Sequence, residues 1–194
     1  MNSINARAPD WDRLFEIAAA QDGHFTTRQA AAAGYSTSLL VHHVRTGRFV
    51  RVRHGIYRLK HFPAGDQEPL TEAWLWSDMQ GVFSHRTVLS LHSLSDILPA
   101  KVHMTLPADW RKRRLKVPAD VVLHFADVPP QDRDWYGPVP VTKVARTLND
   151  CARDHLSPEL LAQAYEQALE RGLARRTELA AVEAALAPYQ RRTA

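Results

Sequence analysis

The residues best suited to chemistry are arginines and histidines in the first third of the chain. Between Asp22 and Asp66 the sequence contains no acidic residue. A guanidinium group pairs with phosphate oxygens or, through two hydrogen bonds, with guanine, and imidazole and hydroxyl groups can reach bases or phosphates. A stretch whose charged residues are all basic predicts binding to a polyanion, of which duplex DNA is the most common example. Five histidines share this window with the cations Arg28, Arg45, Arg48, Arg51, Arg53, Arg58 and Lys60.

One short helix, which follows Ser36 and ends at Gly47, is expected to present part of this set. At about 100° per residue, its two sides can be separated by angle. The apolar side is assigned Thr37, Leu40, Val41 and Val44. The polar side is assigned Ser38, His42, Arg45 and Thr46. An apolar back with a polar, arginine-bearing front is suited to the major groove, although an ordinary solvated helix face has the same pattern.

Two alternating runs follow this helix and predict a β-hairpin. They are Phe49–Val52 and Ile56–Leu59, joined by a tight turn at Arg53-His54-Gly55. A hairpin directly after the helix is a wing, whose arginines would lie along the phosphate backbone or enter the minor groove. The alternative is a solvated sheet edge protected by charge. The predicted DNA-binding residues are Thr27, Arg28, Ser36, Ser38, His42, Arg45, Thr46, Arg48, Arg51, Arg53 and His54.

The elements that must position these side chains follow a helix–turn–helix pattern. A first helix opens at Pro9 and Asp10 and ends at Gly23. Its apolar stripe at helical spacing consists of Trp11, Leu14, Phe15 and Ala18. Thr26 or Thr27 can cap a second, short helix through Ala33, because a hydroxyl accepts the unpaired N–H groups of a first turn. A turn at Gly34-Tyr35 then leads into the helix that Ser36 caps.

Catalytic chemistry is not expected in the rest of the chain. His85, His92 and Asp96 could suggest a metal or acid–base site, but no third ligand occurs at metal-binding spacing. Adjacent Ser84 and His85 do not make a nucleophile–base pair, since such pairs are defined by geometry. The sequence has no GxxxxGK[ST] or GxGxxG loop that would cradle phosphate. We therefore predict no enzymatic activity, no cofactor and no metal.

A second basic run lies between two predicted strands, after Trp110. It is interpreted either as a solvated hairpin loop, as a set of extra phosphate contacts, or as a docking patch for an acidic partner. These alternatives stay open at the level of sequence. The residues of this second basic patch are Arg111, Lys112, Arg113, Arg114 and Lys116.

Composition indicates a globular protein with one basic part. Of the net charge of +4 on 194 residues, residues 1–61 hold nine Lys/Arg against four Asp/Glu, and the remainder is close to neutral. Cys151 is the only cysteine, which excludes an internal disulfide and favours a reducing, cytoplasmic location. No apolar run reaches the roughly 20 residues that span a bilayer, and the N-terminal sequence has no apolar segment typical of a signal peptide.

The order and spacing of several motifs resemble the AbiEi-type antitoxins of bacterial abortive-infection systems. In the first third these are residues 23–30, 34–36 and 47–58, which are similar to that family's N-terminal winged helix. Further on, residues 84–96, 102–107 and 139–150 are similar to its second domain, so that the resemblance covers roughly residues 10–155. It implies a repressor of its own operon that takes part in phage defence and neutralises a nucleotidyltransferase-like toxin. Some relatives also carry a nuclease module with a Glu-x-Lys motif, which this sequence lacks.

The predicted fold is α+β, with an N-terminal winged helix-turn-helix, a small mixed α/β domain and a helical C-terminal tail. The expected division is a DNA-binding domain at residues 1–61, a Pro- and Gly-containing linker at 62–68 and an antitoxin-like domain at 69–194. In the second domain, Val102–Leu106 and Val121–Phe125 are expected as strands. Helices are expected at residues 70–78, 86–91, 143–152, 158–168 and 177–187.

Three functional hypotheses follow. The first is a DNA-binding antitoxin and autorepressor that reads an inverted repeat in its promoter. The second is a plain winged-helix regulator whose second domain binds an effector or partner, and the third is a nuclease targeted by the winged helix. The missing Glu-x-Lys motif argues against the third. The toxin, the operator and the number of protomers on the DNA stay open, and no membrane partner is expected.

Overall fold

The computed structural model describes residues 8–190, and these form two compact units that divide between Met79 and Gln80. We call them unit 1 (to Met79) and unit 2 (from Gln80). The expectation that no signal peptide is present concerns a segment that begins outside the described residues. No helix of the described part is long and apolar enough to cross a bilayer.

Unit 1 is a winged helix-turn-helix, as predicted. Its sheet is antiparallel with three strands in the order β1-β3-β2, and β1 is a short strand that sequence analysis did not predict. Helices α2 and α3 form the helix-turn-helix, and strands β2 and β3 form the wing. In chain order the elements are α1 (Trp11–Ala19), β1 (His24–Thr26), α2 (Thr27–Ala32), α3 (Thr37–Arg45), β2 (Phe49–Arg53), β3 (Ile56–Leu59) and α4 (Glu68–Trp76).

Local sequence signals fix where these helices begin. Asp10 caps α1 by accepting a hydrogen bond from the Arg13 backbone N–H. Thr26 and Gln29 form a reciprocal capping box at α2, so that the hydroxyl and the amide each satisfy a free backbone N–H. Gly23 separates α1 from β1 with φ of +79°, and a Cβ placed there would lie 2.6 Å from the Phe62 ring, so both conformation and space require glycine.

The core of unit 1 is largely aromatic and joins the helices to the wing. Phe49, the first residue of β2, is 2% exposed and packs edge-on against Phe25 with ring centroids 5.0 Å apart. Trp11 and Phe15 of the predicted α1 stripe remain partly exposed, whereas Leu14 and Ala18 are buried. The buried cluster consists of Leu14, Ala18, Phe25, Ala30, Ala33, Tyr35, Leu40, Phe49, Tyr57 and Leu59.

Unit 1 extends past the boundary expected at residue 61. Helix α4, which was assigned to the second domain, falls within it. Its buried Thr71 donates a hydrogen bond to Asp22, and its two glutamates form ion pairs with Arg53 and Arg58 of the wing. The expected linker at 62–68 therefore connects two elements of one unit. Its composition predicted an exposed turn, but gave no indication of the ion pairs that fold α4 back.

Unit 2 is a five-stranded mixed sheet with helices, and it includes the predicted helical tail. The strand order is β6-β5-β4-β8-β7. The strands are β4 (Val82–Phe83), β5 (Val102–Leu106), β6 (Val121–Phe125), β7 (Arg133–Tyr136) and β8 (Val139–Thr142). The helices are α5 (His85–Leu91), α6 (Val144–Arg153), α7 (Pro158–Glu170) and α8 (Ala180–Gln190). Short 3-10 turns occur at Ala108–Lys112, Pro130–Asp132 and Arg176–Glu178.

The pairing of β5 with β6 corrects one sequence interpretation. The two strands are parallel, with Val102 opposite Val121 and Leu106 opposite Phe125. Parallel neighbours cannot be joined by a hairpin and need a longer crossover. The segment that contains the second basic run is therefore a crossover connection, not the hairpin loop that the alternating strands suggested.

The helices of unit 2 bury their apolar faces in one cluster. Leu148 and Cys151 of α6 meet Leu161 of α7 and Leu179 near α8, and all are almost fully buried. Burial raises the pKa of the Cys151 thiol to about 12, so this cysteine packs as an apolar side chain. Thr142, which directly precedes the helix expected at residues 143–152, ends β8, and its hydroxyl lies 2.6 Å from that of Thr147.

Candidate nucleic-acid interface

The outer face of α3 presents the polar side chains that the sequence assigned to it. Ser38, His42 and Arg45 are exposed, and so is Thr46, which caps the end of the helix. Val41 differs from expectation, since it is 51% exposed instead of packing on the other helices. Positions 38, 41, 42 and 45 follow the i, i+3, i+4, i+7 spacing of one helix face, so Val41 lies among the polar residues.

The hydroxyl groups of the two capping residues of α3 are already engaged within the helix. The Ser36 hydroxyl accepts a hydrogen bond from the Leu39 backbone N–H and lies 2.9 Å from the Ser38 hydroxyl. The Thr46 hydroxyl donates to the backbone carbonyl of His42 at 3.0 Å. Ser36 and Thr46 therefore stabilise the two ends of α3. The longer side chains of His42 and Arg45 extend from the exposed face of α3 and remain available to a ligand.

His43, next to the exposed face, is part of the core packing. Its ring lies 4.9 Å from that of Phe49 and 5.8 Å from that of Tyr35. Burial, followed by the charges of Arg48 and His42, lowers the pKa of His43. Burial also raises the pKa of Tyr35. Both rings are thus neutral at physiological pH and fix the angle at which α3 meets the wing.

The wing carries the next exposed cations. Arg51 is exposed on β2, and its Nη2 lies 3.0 Å from Nδ1 of His54 in the turn. A register shift between Arg51 and Arg53 marks a bulge, which increases strand twist. Thr27 at the start of α2 donates both its backbone N–H and its hydroxyl to the Gly55 carbonyl, at 2.9 and 3.3 Å. These bonds connect the turn of the wing to the helix-turn-helix.

Three arginines of the acid-free window are paired with acids that lie beyond it. Arg28 lies 2.7 Å from Asp78, Arg53 lies 3.0 Å from Glu72, and Arg58 pairs with Glu68 at 2.6 Å. The pairs of Arg53 and Arg58 are mostly buried, whereas that of Arg28 is exposed and correspondingly weak. In contrast, Arg45, Arg48 and Arg51 form no ion pair with any carboxylate in residues 8–190. Within unit 1, the positive charge available to a ligand is therefore concentrated on α3 and the start of the wing.

The second basic patch lies in unit 2, on the crossover between β5 and β6. All its cations are exposed. Arg113 stacks over the Trp110 ring at 4.1 Å and lies 3.6 Å from Asp109. Arg111 donates to the Phe125 carbonyl at 3.3 Å. Of the other members of the patch, Lys112 ends the 3-10 turn, and Arg114 and Lys116 lie in the loop that follows it.

The structure does not bring His85, His92 and Asp96 together as one group. The backbone of His92 accepts a hydrogen bond from Arg171, and burial lowers the pKa of its ring. Asp96 accepts a hydrogen bond from Gln163. His85 instead contacts two other histidines, His103 and His124, which sequence analysis did not single out. Burial, followed by the two neighbouring histidines, lowers the pKa of His85 to about 3.

Comparison with known proteins bears on unit 1. Residues 12–60 match a family model described as "Transcriptional regulator, AbiEi antitoxin". No curated protein matches the chain. A crystal structure of the RV2827C protein from Mycobacterium tuberculosis aligns with 91% of this chain and 80% of that one, with 15% identity and a TM-score of 0.43.

The matched segment begins in α1 and ends one residue after β3, so it covers the helix-turn-helix and the wing without unit 2. The resemblance of residues 84–96, 102–107 and 139–150 to the second domain of the family is outside this match and stays a prediction. In its winged-helix segment, residues 12–60, the chain matches the AbiEi antitoxin family that its sequence motifs had indicated.

Proposed function

We propose that the protein is a DNA-binding transcription regulator and antitoxin, in which unit 1 reads duplex DNA. The observation that carries this proposal is the juxtaposition of an exposed α3 face with the unpaired arginines at the start of the wing. Ser38, His42 and Arg45 project from that face, and Arg48 and Arg51 lie just after it. A helix of this kind is suited to the major groove, with the wing on the adjacent backbone.

Within this proposal the residues have different roles. Arg45 and His42 read base edges, while Val41 contacts a thymine methyl group, since its isopropyl group is exposed beside Arg45. Arg48 and Arg51 neutralise phosphates. Arg53 and Arg58 hold the wing against α4 through Glu72 and Glu68, so we assign them a positioning role.

The proposal extends to promoter recognition and to toxin neutralisation. The motifs of residues 84–96, 102–107 and 139–150 support assigning the second role to unit 2, because they resemble the antitoxin domain of the family. The proposed DNA partner is an inverted-repeat promoter site that binds more than one protomer. The proposed protein partner is a nucleotidyltransferase-like toxin. The exposed second basic patch around Arg113 offers a surface for an acidic partner of this kind.

DNA binding is tested by its salt dependence. With Arg48 and Arg51 on phosphates, the slope of log affinity against log salt is expected to be about −2 per protomer, from roughly −0.9 per phosphate. Gel-shift or fluorescence titrations of the full chain on its own promoter, at several salt concentrations, measure this slope. A slope near zero contradicts DNA binding. A slope near −4.5 would mean that Arg28, Arg53 and Arg58 also leave their carboxylates for phosphates.

The antitoxin role is tested by growth rescue. Co-expression of the chain with the adjacent nucleotidyltransferase-like gene is expected to restore growth that this gene alone inhibits. A variant with Arg45 replaced by alanine should rescue equally when both genes are driven by a foreign promoter, because neutralisation is assigned to unit 2. Absence of rescue, together with specific promoter binding, would favour the second candidate, a plain winged-helix regulator.

A further inference from the structure

Three histidines and a carboxylate from separate elements of unit 2 meet at one cleft. His85 begins α5, His103 lies on β5, His124 lies on β6, and Asp154 follows the end of α6. The rings of His85 and His124 stack with centroids 3.5 Å apart and planes 10° apart. His103 Nδ1 lies 3.0 Å from His124 Nε2. The backbone of His85 is held at φ of +51°, a left-handed conformation that a histidine adopts at an energetic cost.

Three of these residues place ligand atoms close enough to share one ion. His85, His124 and Asp154 each offer one such atom, and these atoms all lie within 4.8 Å of one another. Two imidazoles and a carboxylate form a donor set that suits zinc and related transition-metal dications. Three protein ligands also leave at least one coordination position for water or another ligand.

In both His85 and His124, one ring nitrogen already has a hydrogen-bond partner, as is usual for metal-binding imidazoles. His85 Nδ1 lies 2.9 Å from the Ser84 hydroxyl, which in turn lies 2.7 Å from the hydroxyl of Thr105. Both hydroxyl-bearing residues are buried. Because His103 engages Nε2 of His124 in the same way, the nitrogens left for an ion are Nε2 of His85 and Nδ1 of His124.

The carboxylate of the group is available, and solvent reaches it. Asp150, one helical turn before Asp154, is occupied by Arg146 at 2.7 Å and by Arg153 at 3.0 Å. Asp154 is exposed and makes no ion pair within residues 8–190. His85, His124 and Asp154 all line an open cleft of about 520 Å³, so an ion can enter without local unfolding.

We propose that His85, His124 and Asp154 form a binding site for one zinc-class divalent transition-metal ion, with an open coordination position facing this cleft. Ser84 and His103 are positioning residues that orient the two imidazoles. Because an imidazole lone pair lies in the plane of its ring, nearly parallel rings cannot both point at one ion, so binding must tilt one ring against the other. The imidazole signals of both histidines should therefore shift together in NMR spectra.

The test is a titration of the metal-free, full-length protein with Zn²⁺ by calorimetry and with Co²⁺ by visible absorption. One ion per chain is expected, with a Co²⁺ spectrum typical of low-coordinate nitrogen and oxygen ligands. Asp154→Asn and His124→Gln should each weaken binding at least tenfold, and Ser84→Ala by roughly 10–100-fold, the range seen for groups that orient metal ligands. His92→Gln is the matched control, because His92 follows the C-terminal end of the helix that His85 begins and lies outside the cluster.

Asp154→Asn is the decisive variant, since an exposed carboxylate can be replaced by its amide without disturbing the fold. Its amide NMR spectrum outside the cleft should match that of the unchanged protein, which makes its affinity interpretable even if His124→Gln misfolds. The proposal is overturned if no stoichiometric binding occurs. It is equally overturned if Asp154→Asn binds as tightly as the unchanged protein, since the ion would then lie on other histidines, such as those of unit 1.

Discussion

Replacing Phe49 with alanine is expected to lower the free energy of unfolding of unit 1 by about 3–5 kcal/mol. Phe49 is almost fully buried, and its ring contacts those of Phe25, Tyr35 and His43. Removing it leaves a cavity where the wing meets α3, and the rigid β2–β3 pairing prevents the neighbours from filling it. Since small domains are stable by only about 5–15 kcal/mol, the variant should lose much of its folded population.

The measurement is urea denaturation followed through the amide NMR signals of β2 and β3, which report unit 1 separately from unit 2. Val50→Ala is the matched control, because Val50 is the next residue of the same strand and its side chain is exposed. That change should cost less than about 1 kcal/mol. A Phe49→Ala variant no less stable than the Val50→Ala variant would contradict the assignment of Phe49 to the centre of this core.

The second large effect concerns DNA recognition and rests on the proposed function. Arg45→Ala is expected to lose about 1–3 kcal/mol of affinity for the promoter site, a factor of roughly 5 to 150, if the guanidinium binds guanine through two hydrogen bonds. Affinity for unrelated duplex DNA should fall much less, because the phosphate contacts of Arg48 and Arg51 are retained. Titrations on the promoter site and on a scrambled duplex at one salt concentration measure both.

The control for this variant is Arg28→Ala. Arg28 is also an exposed arginine of unit 1, but its guanidinium lies 2.7 Å from Asp78. Its removal should change the affinities for the two duplexes by similar, small factors. If Arg45→Ala weakens binding to both duplexes equally, Arg45 contacts phosphate, and the base-reading surface must be sought elsewhere.

Features fixed by local chemistry were predictable from the sequence. The capping residues Asp10 and Ser36 and the turn glycines Gly34 and Gly55 act within a few residues of themselves, and each lies where the pattern placed it. Val41 was misassigned for a local reason as well. Its apolar type suggested the core, although at about 100° per residue it lies at the border of the polar face, about 40° from Arg45. The helical angle alone does not decide on which side a border residue is buried.

Features that depend on tertiary packing were not predictable. Glu68 and Glu72 are separated from the wing by a segment with linker composition, and only the return of α4 brings them to Arg58 and Arg53. The histidine cluster has the same origin. His103 and His124 lie on parallel strands whose pairing no local motif specifies, and the predicted hairpin would have placed them differently.

The mostly buried ion pairs of Arg53 and Arg58 also bear on how a regulator of this design would be distributed in a cell. A chromosome offers about a million or more non-cognate sites, and the affinity for each of them rises steeply with the number of phosphates that the protein neutralises there. The two cations that are already held by Glu72 and Glu68 in mostly buried pairs contribute little to that non-specific affinity. A larger share of the molecules is then free to find the operator, so fewer copies per cell suffice for repression.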